Sequence, residues 1–393
     1  MQIFNIKTDL EKDIPIDKER RIYRIKQLDN IKESLNNEKS RLDVFYADKR
    51  NTFNSLWSQC DPLRSEKSII ANICNTINVS NAWLKCYELL TEFKVFDEFK
   101  ESFVHFDNAA FPGSFILATN HLAHVYGVKH DWYASSLVPS KENTALEDRY
   151  ELYKRYRDKW IMGENLDGNV LSTQTQKAFY EKFKNTVDLY TSDIGTDVSN
   201  DYNNQELIQA RLNVGQILSG LLTLKLGGIL ITKQYTVFEP ITMNIMLIAS
   251  MFFKEFYLVK PYSSRKANSE SYLVGKGFNV ENTHDILNNK YIKLLLDLIE
   301  NWNDAPLFYH ADCPKIFMKN VVNASVKLTT SQIEKIKADI NVCEHAMNKQ
   351  TDAMIKYKKT FEPDIIRWYI SMQFKPVLKE DQLDMKDAYG QRL

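Results

Sequence analysis

The sequence predicts an α/β protein, with a mostly parallel sheet in mid-chain and helical extensions on both sides. Three observations predict it. Between Val187 and Phe278, short apolar runs alternate with stretches of helical periodicity, the pattern of a parallel sheet whose strand ends gather functional loops. Eleven of the twelve glycines lie between Gly113 and Gly277, where strand–loop–helix connections need tight turns. The flanks hold only Gly390 and read as helical.

Taken in order, residues 17–60 carry Ile22, Ile25, Leu28, Ile31, Leu35, Leu42 and Phe45 at helical spacing. That fits one amphipathic helix, or a helical hairpin, packed on the core. Ser80 reads as the N-cap of a helix from Asn81 to about Phe93, with Lys85 and Glu88 on one face. Residues 103–107 read as a strand. Residues 109–115 (Ala-Ala-Phe-Pro-Gly-Ser-Phe) form the turn into the next helix, whose free N–H groups can meet a ligand. Residues 131–137 are a further short strand. Residues 138–184 are a long polar and aromatic insertion, with a strand starting at Asp167-Gly168-Asn169-Val170.

The central stretch opens with a strand at 187–190 that runs into Ser192-Asp193-Ile194-Gly195. A helix over 205–226 is closed by Gly227-Gly228. Residues 229–231 form the next strand, and Lys233 follows it. A core helix spans 241–253. Strands at 252–259 and 271–274 enclose a polar loop, 263–270. Asp193, Lys233 and Glu270 thus all fall near strand ends. Beyond Phe278 helices are expected over 286–302, 331–357 and 361–374.

Lys+Arg and Asp+Glu balance at 51 each, so contact with nucleic acid must come from a local patch rather than a global field. No apolar run reaches membrane-spanning length. The N-terminus lacks the basic-then-apolar layout of a signal peptide. Cys60, Cys74, Cys86, Cys313 and Cys343 are scattered and suit reduced thiols in a cytosolic setting. His121 and His124 lie one turn apart, but without a third ligand they read as packing or surface groups, and no metal is expected. The run Tyr153-Lys154-Arg155-Tyr156-Arg157 interleaves basic and aromatic residues; it suits either phosphate and base contact or a solvated helix face.

Several short motifs in order carry a resemblance. They begin with Ala82-Trp83-x-Lys85-x-x-Glu88, Pro112-Gly113-Ser114-Phe115-Ile116 with Asn120-His121, and Trp132-x-Ala134-x-x-Leu137. Ser192-Asp193-Ile194-Gly195, Gln205-Glu206, and Gly227-Gly228 with Lys233 follow. Lys260-Pro261, Ser263-Ser264-Arg265 and Asn268-Ser269-Glu270-x-Tyr272 close the series. With these the chain resembles the FtsJ-like RNA 2′-O-methyltransferases, within them the Adrift-type cap enzymes and their counterparts in large cytoplasmic DNA viruses.

The resemblance implies a Rossmann-like S-adenosylmethionine-dependent methyltransferase sheet over residues 80–278, with helical extensions at 1–79 and 279–393. It implies a catalytic tetrad of Lys85, Asp193, Lys233 and Glu270. S-adenosyl-L-methionine would be held by Asp107, Pro112, Gly113, Ser114, Phe115, Asn169 and Asp193. Three positions depart from the family pattern: Ala109 stands where glycine is usual, and Ala110 and Asn169 stand where acids are common. Lys154, Arg155, Arg157, Arg265 and Lys266 are the expected phosphate contacts.

The expected reaction moves a methyl group to a ribose 2′-hydroxyl, with Lys233 as base. A lysine serves as base only if its pKa falls from ~10.4 toward neutrality, which burial and a neighbouring ammonium such as Lys85 favour. Capped mRNA is the expected substrate. Internal ribosomal or transfer RNA sites, or a non-catalytic cap-binding subunit on the same fold, are the alternatives. The helical flanks would meet a capping- or transcription-complex partner or brace the core. The expected location is cytoplasmic, the host cytoplasm or virion if viral.

Overall fold

The computed structural model describes residues 1–8, 13–46, 52–140, 145–196, 198, 201–280, 283–348 and 351–384. Among these, the strands are β1 (Gln2–Asn5), β2 (Ser102–Asn108), β3 (Lys129–Ser135), β4 (Val187–Ser192), β5 (Leu224–Gln234), β6 (Phe253–Lys260) and β7 (Ser271–Phe278). They form one sheet in the order β1-β6-β7-β5-β4-β2-β3. β3, β2, β4 and β5 run parallel, as βαβ crossovers demand. β7 enters antiparallel between β5 and β6, and β1 caps the edge antiparallel to β6. Consequently the C-terminal ends of β4, β5 and β6 meet the start of β7 at one edge of the sheet.

Period-2 alternation sends successive strand residues to opposite faces. Tyr190, Leu230, Leu258 and Leu273 enter one core, while Leu189, Ile231, Val259 and Val274 enter the other. The first core is covered by the helices Thr173–Phe183, Gln205–Thr223, Pro240–Met251 and Lys290–Glu300. The flanks contribute to the same core, since Leu28 and Leu35 of Lys26–Ser40 pack with Ile336 and Ile340 of the long Lys315–Met347 helix. Helices Asn81–Glu92, Ser114–Tyr126 and Glu362–Met372 cover the second face.

Several elements differ from their sequence reading. β1 was not expected, and it comes from the N-terminal flank. The helix after Asp193 ends at Thr223, and Gly227-Gly228 lies inside β5 instead of closing the helix. There the register against β4 jumps between Val187 and Leu189, so residues 225–228 bulge out opposite Asp188. Residues 167–170 form a turn rather than a strand. Gly168 sits at φ +65, and a Cβ there would stand 1.9 Å from the Ser136 carbonyl oxygen, so this backbone is pressed against residues 136–138 instead of extending. The insertion contains the unexpected helix Thr173–Phe183, capped by Ser172 and anchored by Phe179 and Phe183. The long C-terminal helix begins at Lys315, sixteen residues before the expected start at 331. The periodic stretch at 17–60 becomes helices Lys26–Ser40, Asp43–Tyr46 and Thr52–Gln59, with Ile22 left 81% exposed.

Candidate active site

Ser80 caps the helix Asn81–Glu92 by accepting a hydrogen bond from the Trp83 N–H. That cap sets the helix phase which turns Lys85 toward the strand ends. β4 delivers Asp193, β5 delivers Lys233, and the loop ahead of β7 delivers Glu270. The four side chains meet. Lys85 Nζ lies 2.6 Å from Glu270 Oε1, and Lys233 Nζ lies 3.1 Å from Asp193 Oδ1 and 2.9 Å from the Asp193 carbonyl oxygen.

Tyr272 joins the two ion pairs. Its hydroxyl lies 2.7 Å from Asp193 Oδ1 and 3.1 Å from Glu270 Oε1, so one phenolic proton serves two carboxylates. Tyr272 sits directly across from Lys233 in the β5–β7 register and is fully buried. The result is one polar path, Lys85–Glu270–Tyr272–Asp193–Lys233. In the sequence Tyr272 stands inside the Asn268-Ser269-Glu270-x-Tyr272 motif with no role of its own. The signal was there: Glu270 and Tyr272 are two apart where an extended backbone returns to the same face.

Burial works against the charge on Lys233, but the carboxylates of Asp193 and Glu270 outweigh it and hold the pKa above the ordinary lysine value. This corrects the expectation of a lowered pKa. Both acids lie closer in effect than the second ammonium, so the resting group is a cation. Glu270 is displaced the other way: burial opposes its charge, and Lys85 and then Lys233 overcome that and lower its pKa.

Beside the tetrad a cleft of about 900 Å³ opens between the ends of β2 and β4. Asp107, Pro112, Ser114, Phe115, Asn169, Asp193 and Lys233 all line it, whereas Gly113 supports the turn behind it at φ +114. Burial pushes the Asp107 carboxyl well above its ordinary range, the hydrogen bond from Thr191 (2.6 Å) opposes this, and the charge of Asp193 adds to it. Asn169 Oδ1 accepts the Leu171 N–H and so stabilises its own turn. Ala109, where glycine was usual, adopts φ +57, the left-handed region that explains the preference.

The cleft fits S-adenosylmethionine. The Asp193 carboxylate suits its cationic groups, the buried Asp107 carboxyl can hydrogen-bond its polar ones, Leu137, Val170 and Leu171 offer apolar walls for a base, and the N-terminus of Ser114–Tyr126 suits a carboxylate. Close approach is also built in: a Cβ at Gly195 would come within 3.3 Å of Lys233 Nζ.

The expected phosphate contacts divide. Lys154 and Lys266 are exposed, and so is Arg157, which stacks on the Tyr153 ring at 4.0 Å. Arg155 instead donates to the Leu383 carbonyl, and Arg265 is paired with Asp61 at 3.1 Å. The neighbouring Phe111, Tyr153 and Trp160 rings pack on one another, tying this segment to the Ala109–Gly113 turn. His121 is buried against the Lys375 carbonyl, and no group of three metal-binding side chains occurs among the described residues.

The FtsJ-like methyltransferase family model matches residues 78–278. A probable methyltransferase of African swine fever virus is 32% identical over 371 residues, covering 89% of this chain and 84% of that protein. Its counterpart in another isolate is 36% identical over 288 residues, 70% of this chain and 66% of that protein. Cap-specific mRNA (nucleoside-2′-O-)-methyltransferase 2 of Drosophila melanogaster is 26% identical over 331 residues. That match covers 79% of this chain but only 46% of the longer relative. With a family match over half of its length and viral relatives aligned over most of it, the chain belongs to the FtsJ-like methyltransferases, which draw their methyl group from S-adenosylmethionine.

Proposed function

We propose that this methyltransferase acts on RNA, transferring the methyl group to the 2′-hydroxyl of a ribose next to the mRNA cap. The observation that carries the reading is the unbroken path from Lys85 to Lys233 at the rim of the donor cleft. S-adenosylmethionine supplies an electrophilic methyl on a sulfonium and, when bound, a positive charge in the cleft. Asp193 holds Lys233 beside the acceptor, where the Lys233 amine in its neutral form would take the hydroxyl proton. Glu270 holds Lys85 in place, and the Lys85 ammonium donates to the ribose oxygen. Tyr272 keeps the two carboxylates a fixed distance apart. Alignment of reactants supplies the largest share of the rate, about 7–11 kcal/mol for well-oriented groups.

Lys154, Arg157 and Lys266, which are exposed, would meet the RNA phosphates, with Arg155 and Arg265 bracing the segments that present them. The cap preference is drawn from the cap-specific relative. The test offers labelled donor to short capped RNA, the same RNA uncapped, and a capped RNA with 2′-deoxyribose at the cap-proximal positions. Transfer to the capped ribose substrate alone is expected. Equal labelling of the deoxy substrate would remove the ribose hydroxyl as acceptor, and equal labelling of uncapped RNA would remove the cap.

A further inference from the structure

Among the described residues, Lys260 is the one buried lysine at the sheet edge that the scheme above leaves without a task. It closes β6, is 7% exposed, and forms no ion pair with a carboxylate among the described residues. Its Nζ instead meets three acceptors: the Asn268 carbonyl at 2.8 Å, Asn268 Oδ1 at 2.5 Å and the Glu270 carbonyl at 2.5 Å. An ammonium has three hydrogens to donate and nothing to accept, so this cage is built for the charged form. The cage has a cost: burial, opposed by the Glu270 charge and helped by that of Lys85, drives the pKa down to about 7. A buried cation whose hydrogen-bond acceptors are all neutral oxygens costs more than a methionine of the same shape.

All three acceptors belong to the turn that carries Glu270. Asn268 Oδ1 also accepts the Glu270 N–H at 3.2 Å, so the backbone of Glu270 is held at its N–H by Asn268 and at its carbonyl by Lys260. The flanks reach the same turn: Lys39 donates to Ser269 Oγ at 3.2 Å, and Gln332 donates to the Ala267 carbonyl at 3.1 Å. Glu88 fixes the near end of the loop by accepting the Tyr262 and Ser263 N–H groups.

We infer that Lys260 and Asn268 are positioning residues that set Glu270, and through it Lys85, for methyl transfer. The inference rests on the tetrad reading above. Because they act through Glu270, their effect vanishes once Glu270 no longer pairs with Lys85.

The experiment is a double-mutant cycle in the full chain, with labelled donor and short capped RNA. Lys260→Met and Asn268→Ala are each made in the parent and in the Glu270→Gln background. Hydrogen–deuterium exchange is measured on the same proteins without substrate. In the parent, each substitution lowers kcat by about 10–100-fold, the size expected when a reacting group is misplaced by an ångström, with the KM for donor unchanged. Each also speeds amide exchange within residues 263–271 and not elsewhere. In Glu270→Gln neither substitution lowers kcat further.

Equal losses in both backgrounds overturn the inference, as does unchanged exchange in 263–271. Full activity of Glu270→Gln alone overturns the tetrad reading instead. Asn268 is exposed, so its variant decides the matter if Lys260→Met does not fold. The exchange measurement decides it on its own if no RNA offered is methylated.

Discussion

Lys85 and Glu270 stand 185 residues apart in sequence and meet at 2.6 Å, each side chain largely withdrawn from solvent. An ion pair this buried gives back in attraction roughly what it costs in desolvation, so its value lies in position rather than stability. It fixes one end of a path whose other end, Lys233, lines the donor cleft.

Removing Lys233 tests the proton's destination. Lys233→Ala is expected to lower methyl transfer by about 10²–10⁴-fold, while circular dichroism and binding of S-adenosylmethionine stay close to the parent. A variant that keeps its rate removes Lys233 as the base.

Tyr272→Phe keeps the buried ring and deletes only the hydroxyl shared by Asp193 and Glu270. A hydrogen bond to a charged group is worth about 1.5–3 kcal/mol, so kcat should fall roughly 10–100-fold. Parent-like kcat would show that the carboxylates hold their places without it.

Ala109 pays for a left-handed backbone that glycine adopts freely. Ala109→Gly should stabilise the chain by up to ~1 kcal/mol, the αL penalty less the entropy of the added freedom. The midpoint of urea unfolding reads it, and a lower midpoint would show that the methyl group's packing outweighs the strain.

Acid should destabilise the fold through buried histidines. Burial lowers His105 to about 3 and His130 well below the ordinary value. It also lowers His121 to about 4, although the Lys375 carbonyl opposes it. In the unfolded chain these groups take up protons near pH 6.5, whereas the folded chain holds them neutral. Their stabilisation is therefore complete above about pH 6.5 and drains away as pH falls toward 4 and 3, by up to ~1.4 kcal/mol per unit per group. Urea unfolding at pH 7, 6, 5 and 4 measures the slope. His121→Gln should flatten it, and an unchanged slope would count against this origin.

Local chemistry was legible wherever a residue's neighbours in sequence are also its neighbours in space. Ser80 capped its helix as read, because an N-cap acts three residues away. Strand 187–190 appeared because four consecutive apolar or alternating residues are a local pattern. β1 stayed hidden, since residues 2–5 become a strand only by pairing with β6 some 250 residues later. The Gly227-Gly228 pair misled for a related reason: a glycine pair suits a helix end or a bulge equally, and the β4 register chose the bulge. The pairing of Arg265 with Asp61 stayed hidden likewise, since the two lie about 200 residues apart in sequence.

By itself, then, the sequence determined the α/β class and the order of the motifs, because each is carried by short-range pattern, and the family resemblance of those motifs singled out the four charged residues. Only the tertiary structure decided that Lys233 rests as a cation, that Tyr272 joins the two pairs, and that Lys260 grips the turn under Glu270. Those are matters of charge and hydrogen-bond partners within a few ångströms, which Coulomb's law and burial settle in space and not along the chain.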